Sequence, residues 1–385
     1  MALLSARAQQ ATDSTSFRSR KLKFEEANLV ASYYSQSGEH AAVTGGTGTQ
    51  QLTDIATTFD IRLSRFDKKG RKHFFDAGIG IDHYTSASSD KIDLKANSSA
   101  SHADTRIYPS LTWSIENAAK GHSVNFGASA STEFDYQSFG LSAGYAKKTK
   151  DRNGEFSAKA QVLLDRVSLV LPVELRNPPG REEDDYASSN RNTFIGSFGW
   201  TQVINPRLQV ALLADIVQQK GYLSLPFYRV YFSDGSMKQE HLPDRRFKLP
   251  VGFRANYFLG DNIILRGYYR YYTDSWGLHS HTASLEVPVK LNPFFSVSPF
   301  YRFYTQSAID YFKPNKVHSL QDTYYSSNYD LSAFSSNFFG AGLRWTPVKG
   351  VFGAPHIATA EMRYGRYTRN NQLSANSISL HLTFK

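Results

Sequence analysis

The 385-residue chain predicts an all-β fold, a transmembrane antiparallel β-barrel of about 16 strands, within roughly 14–18. Three observations point there. Apolar and polar residues alternate with period two from end to end, the alternating segments are long, and short turns trade places with long polar links. A soluble two-sheet protein with one solvated face would also alternate, so strand length and link length decide. Most segments exceed the roughly 5–6 residues of soluble strands and approach the roughly 9–11 that a tilted membrane strand requires.

The segments begin near Glu26, Thr53, Lys72, Thr105, Gly121, Gln137, Gly154 and Arg191 in the first half. In the second half they begin near Arg207, Arg245, Asp261, Leu278, Pro293, Tyr329, His356 and Leu373. In the second segment Ile55, Phe59, Ile61 and Leu63 share one parity, against Thr58, Asp60, Arg62 and Ser64. In the last, Ile378, Leu380, Leu382 and Phe384 alternate with Ser377, Ser379, His381 and Thr383. Tight connections carry the Gly, Asn, Asp or Pro that turns demand, as in "DKKG", "NAAKG", "KDRNG" and "GDN". The long links, 38–51, 87–104, 172–190, 220–243 and 308–328, fall on the other side, with "FDYQ", "DSWG" and "RNNQ" as short exceptions there and "TPVKGVFGAP" as a long exception on the short-turn side. Short periplasmic turns and long extracellular loops are the layout of an outer-membrane barrel, and an even strand count puts both termini on the short-turn side.

The two parities assign the faces. One carries rings such as Tyr301, Phe303, Trp345, Tyr364 and Phe384, as interfacial girdles would. The other carries charge, and a charge facing lipid costs a few kcal/mol, so this parity faces the lumen. The lumen-lining candidates are Asp60, Arg62, Arg254, Arg266, Arg270, Asp274, Glu286, Arg302, Tyr304, Arg344, Glu361 and Arg363. In "GYYRYYTDSWGLHSHT", Arg266, Arg270 and Asp274 share a face with Tyr268 and Tyr272, a spacing suited to a salt-bridging ladder or a cation–aromatic path.

Composition excludes several classes. There is no cysteine, which removes disulfides, thiolate metal sites and cysteine nucleophiles. The formal charge is +10, but Lys and Arg are scattered singly, which does not favour nucleic acid. No run approaches the roughly 20 apolar residues of a membrane helix. The start "MALLSARAQQATDS" reads as a clipped secretory signal, so residues 1–23 are taken as a residual signal or periplasmic segment and 24–385 as the barrel.

No catalytic site, metal centre or cofactor is expected. His279 and His281 share a face but lack further ligands at fixed spacing, and on a strand His279 and Ser280 point to opposite faces. The acidic stretch from Arg181 to Asp185 reads as a solvated loop tip. The loop "GEHAAVTGGTGTQQLTD" lacks the Lys of a phosphate-binding loop and is followed by a strand, not a helix. Its His40, Gly45, Gly46 and Gly48 are instead candidate partner contacts.

The segments "RGYYRYYTDSWGLHSHT", "SPFYRFYTQSAIDYF", "YDLSAFSS" and "GYLSLPFYRVYF", with the opening "YYSQSGEHAAVTGGTGTQQLTD", resemble a bacterial family known as domain of unknown function 3570, here of the Bacteroidetes type. The resemblance spans residues 24 to 385 and implies an outer-membrane barrel of Gram-negative bacteria. It also implies a setting beside a small lipoprotein, a thioredoxin-like protein and a transferase that attaches FMN to exported proteins. It supplies no catalytic residues. The expectation is a non-enzymatic, polar-lined pore or partly plugged conduit, with outer-membrane lipid around it. The alternatives are a scaffold presenting a small, flavin-bearing lipoprotein or other envelope protein, and a surface adhesion or assembly factor. Nothing in the sequence marks an oligomeric interface.

Overall fold

The computed structural model describes residues 21–85, 103–176 and 186–385. The proposed signal segment and the "REEDD" loop tip lie outside the described residues, apart from residues 21–23. So does most of the 87–104 link.

Because a period-two strand has one apolar and one polar face, a sheet of such strands can leave no open edge in lipid and must close. It does. Around the ring run β1 (Lys23–Ser37), β2 (Leu52–Phe66), β3 (Lys72–Thr85), β4 (Ala103–Asn117), β5 (His122–Thr132) and β6 (Tyr136–Lys148). They are followed by β7 (Gly154–Ser168), β8 (Ser188–Asn205) and β9 (Leu208–Gly221). A small hairpin, β10 (Arg229–Tyr231) and β11 (Met237–Gln239), stands outside the ring. The wall resumes with β12 (Arg245–Leu259), β13 (Ile263–Asp274), β14 (His279–Glu286), β15 (Val289–Lys290) and β16 (Phe295–Gln306). It ends with β17 (Phe334–Trp345), β18 (Ile357–Arg369) and β19 (Ser374–Phe384). β14 and β15 are two pieces of one stave, both pairing with β13 and β16 and interrupted beside Pro288, which has no amide for the ladder. The result is a closed antiparallel barrel of sixteen staves, sealed by β1 on β19 from Ala27↔Phe384 to Ser37↔Ser374.

The faces sort as alternation demands. Ile55, Phe59, Leu111, Leu141, Leu212 and Met362 are exposed on the outer wall, apolar surface that only lipid can cover. Exposed Trp113, Tyr145, Phe156 and Trp200 ring the short-turn end, and Tyr33, Phe139, Phe194 and Phe247 the opposite end. The wall therefore has the form of a membrane-spanning barrel.

Predicted strand starts fall within three residues of the observed ones except at Tyr329, where the strand begins only at Phe334. The intervening Tyr329–Leu331 is a 3-10 turn, capped by the Asn328 side chain accepting from the Asp330 amide. Its Leu331 carbonyl accepts from the Ile309 amide at 3.0 Å, so tertiary contact draws this segment into the loops.

Candidate functional site

The loops of the long-loop rim fold on one another. Arg229, 3% exposed, reaches Glu174 at 2.8 Å and donates through Nη1 to the Val43 carbonyl at 2.8 Å. The Asn315 amide donates to the Gly45 carbonyl at 2.9 Å, and His40 stacks on Tyr329 with centroids 3.8 Å apart. Val43 packs with Phe227, and Phe232, His318 and Val230 are fully enclosed. In the ring, the β1–β2 connection lies opposite the β9–β12 side of the wall. Contacts from Val43 and Gly45 to Arg229 and Tyr231 therefore carry the loops across the mouth, and they form a cap.

The cap holds its own polar network. Glu240 accepts from the Ser326 hydroxyl at 2.6 Å and the Leu225 amide at 2.8 Å, tying the 222–244 loop to the 307–333 loop. Burial pushes its carboxyl up to about 7. At the edge, Lys313 beside Asp322, joined by His318, holds that carboxyl down to about 2.

Below the cap, strand register places the lumen candidates in rows across the wall. One row runs Gly252, Arg270, Thr282, Tyr304, Ser336; the next runs Arg254, Tyr268, Ser284, Arg302, Phe338. Arg254 and Arg302 are three strand spacings apart, roughly 14 Å at the backbone, with Arg270 between them one row nearer the mouth. None of the three arginines forms an ion pair among the described residues. Arg254 lies over the Tyr268 ring at 5.8 Å and Arg302 over Phe338 at 5.0 Å. Arg270 Nε and the hydroxyl of Thr282, a residue 6% exposed, are buried without a hydrogen-bond partner. Orphaned polar atoms in a wall call for water or a ligand.

Most of the remaining candidates are bound locally. Arg62 pairs with Asp76 at 2.5 Å, and Asp60 accepts from Asn28 at 3.0 Å. Arg266 pairs with Glu286 at 3.0 Å. Arg363 reaches both Glu286 at 2.9 Å and Glu361 at 3.2 Å, the first across two intervening staves. Asp274, with its side chain fully buried, binds Arg246 at 2.5 Å, the Tyr272 hydroxyl at 2.7 Å and the Trp276 amide at 2.8 Å. Tyr304 donates to Gln306 at 2.6 Å. Arg344 lies in register with Glu361 without an ion pair. The expected ladder of Arg266, Arg270 and Asp274 is thus not internally bridged: a 7 Å step along one strand is longer than the step to the next strand, so partners come from the neighbours.

His279 and His281 are exposed on the outer face, where Nδ1 of each meets the hydroxyl of Tyr271 or Tyr269 at 3.0 and 2.7 Å. Ser280, 2% exposed, points the other way. Of the loop candidates, Gly45 and Gly46 are buried against Tyr231, Asn315, Ser327 and Tyr329 of this chain, and His40 is held on Tyr329. Gly48 alone is exposed. A partner contact through Gly45 or Gly46 is therefore replaced by contact within the cap. Two further features were not singled out from the sequence. One is Arg246, whose partner Asp274 is 28 residues away on the next stave. The other is the run of small residues facing the lumen from β3 to β8, where Gly78 meets Ser110, Gly127 meets Ser142 and Gly199 meets Ser157.

A family model described as "Protein of unknown function (DUF3570)" matches residues 25–377. No curated protein matches the chain in sequence. Among solved structures it is similar to the siderophore receptor PirA from Pseudomonas aeruginosa, at 12% identity and a TM-score of 0.43, covering 89% of this chain and 56% of that one. It is also similar to OccAB1 from Acinetobacter baumannii, at 10% identity and a TM-score of 0.47, covering 93% of this chain and 95% of the other. A BenF-like porin from Pseudomonas fluorescens Pf-5 is similar at 8% identity and a TM-score of 0.43, covering 93% and 98%. The chain spans little more than half the length of the receptor. At such identities the likeness concerns the fold alone.

Proposed function

The chain belongs to the family described as protein of unknown function (DUF3570), and from that premise we propose that it is an outer-membrane barrel acting as a partly plugged, non-enzymatic conduit for anionic solutes. The observation that carries this reading is the trio Arg254, Arg270 and Arg302, grouped in two adjacent rows and without an ion pair among the described residues, whereas Arg246, Arg266 and Arg363 are each paired with a carboxylate. A wall of sixteen strands encloses room for an aqueous path, unlike the side-chain-filled interior of an eight-stranded one. Cations set in a low-dielectric wall concentrate anions, and Tyr268 beside them offers its hydroxyl to a carboxylate or phosphate group. In this orientation the short turns and both described ends of the chain face the periplasm, and the cap faces outward.

Planar-bilayer recording of the purified full chain is the test. Anion-selective steps, gated by cap movement, are expected. A silent barrel that co-purifies from native membranes with a flavin-bearing lipoprotein would replace the conduit by the scaffold reading.

A further inference from the structure

The long-loop rim carries a second polar cluster, remote from the arginine rows and built from hairpins on the β3–β6 side. We infer that the carboxylates of Asp104, Glu133 and Asp135 bind a hard divalent cation, calcium in preference to magnesium. Asp104 stands near the start of β4, and Glu133 and Asp135 flank Phe134 in the turn from β5 to β6. One oxygen from each lies within 4.8 Å of the other two.

The second observation is Asp104 itself. It is 2% exposed; its Oδ1 accepts from the Thr105 amide at 2.6 Å, while Oδ2 is buried and has no hydrogen-bond partner. Asp135 is 8% exposed, so two of the three carboxylates are removed from solvent screening. Carboxylates this close repel strongly when ionised, unless a cation stands between them. Arg106 does not fill that role. Its Nε donates to the Ser131 hydroxyl at 2.8 Å, its guanidinium lies over Tyr108 at 5.0 Å, and it forms no ion pair with Asp104 or Glu133.

The donor set selects the ion. All three groups are hard oxygen ligands, which suit calcium, magnesium or manganese rather than zinc or copper. Carboxylates that bind through one or both oxygens give the irregular shell of about 6–8 oxygens that calcium accepts, whereas magnesium demands a tighter octahedron. The backbone beneath is firm. The Glu133 amide donates to the Tyr136 carbonyl at 2.9 Å, and the Asp135 carbonyl accepts from the Ser168 amide at 2.8 Å. The Tyr84 hydroxyl donates to Glu133 Oε2 and orients it. A bound cation would therefore fasten the ends of β4, β5, β6 and β7 at the rim that supports the cap.

The test uses the full chain in detergent, stripped with chelator and titrated with calcium chloride or magnesium chloride alone. Calorimetric binding of calcium and a rise in the unfolding temperature are expected, with a smaller response to magnesium. Asp104→Asn should weaken calcium binding roughly tenfold or more while the barrel keeps its strand circular dichroism, because the substitution removes repulsion as well as a ligand. Glu133→Gln serves as a second variant should Asp104→Asn fail to fold. The inference is overturned by the lack of a calcium heat and of a melting shift in the unsubstituted chain. It is equally overturned by calcium binding that persists undiminished in the folded variants.

Discussion

The inner walls of β3–β8 and of β12–β18 follow the same alternation and face the same lumen, yet they present opposite surfaces. The middle rows of the first are lined largely by Gly and Ser, with glycines set against serines such as Ser110, Ser142 and Ser157, while its charged groups such as Asp82, Arg106, Asp165 and Arg191 stand nearer the mouth. The second carries Arg254, Arg270 and Arg302 together with rings that lie along the wall. There the glycines serve the rings: a Cβ at Gly252 would sit 3.1 Å from the Tyr268 hydroxyl, and one at Gly365 would meet the Phe338 ring at 2.5 Å. Small residues on one arc leave width, and long ones on the other supply chemistry. A solute that enters is offered room on one side and binding groups on the other.

The comparison can be broken most severely by removing the chemistry. Changing Arg254, Arg270 and Arg302 together to Gln should lower the anion-to-cation permeability ratio roughly tenfold, because the paired arginines are already neutralised. Unchanged selectivity would place the selecting charges elsewhere. Moving charge to the other arc should have a smaller effect. Ser142→Arg with Ser157→Arg in the triple variant should restore part of the ratio, since the rows through these two serines carry no tyrosine; full restoration would show that position on the wall is immaterial.

Two predictions concern the cap above both arcs. Arg229→Ala removes the pair with Glu174 and the hydrogen bond to Val43, at a cost of about 1–3 kcal/mol, and should raise open-state conductance by loosening the crossing of the mouth. Equal conductance would mean that this crossing does not limit flow. Glu240 sets a pH dependence. Its carboxyl holds a proton up to about 7 in the folded cap but only to 4.5 in the unfolded chain, so the folded state binds more protons between those values. Its contribution to stability is therefore complete below about 4.5 and lost as the pH rises through 7, on the order of 3 kcal/mol. Glu240→Gln should flatten the fall of the melting temperature between pH 5 and pH 8. A variant as pH-sensitive as the original would move the effect to another group. The smallest change is expected from His279→Ala with His281→Ala, which touches only the outer face and should leave selectivity as it was.

The strands were legible in the sequence because each states its own period within a dozen residues. Pairing was not. Whether Arg266 meets Asp274 on its own strand or Glu286 on the next depends on register, which alternation leaves free. The cap was still less legible. Val43 and Arg229 are 186 residues apart, and Gly45 and Asn315 are 270 apart, so no local pattern announces their meeting. The carboxylate of Asp104 and the pair Glu133 and Asp135 come from different connections, and their meeting is hidden for the same reason. In the opening loop the glycines supply backbone freedom. At Gly45 and Gly46, with φ of 76° and 85°, that freedom turns the loop inward onto the cap.

The most direct measurement is the reversal potential of the purified, unsubstituted barrel in a planar bilayer under a potassium chloride gradient. A potential displaced toward the chloride equilibrium value is predicted, and a potential at zero or displaced toward that of potassium would contradict an anion conduit built on Arg254, Arg270 and Arg302.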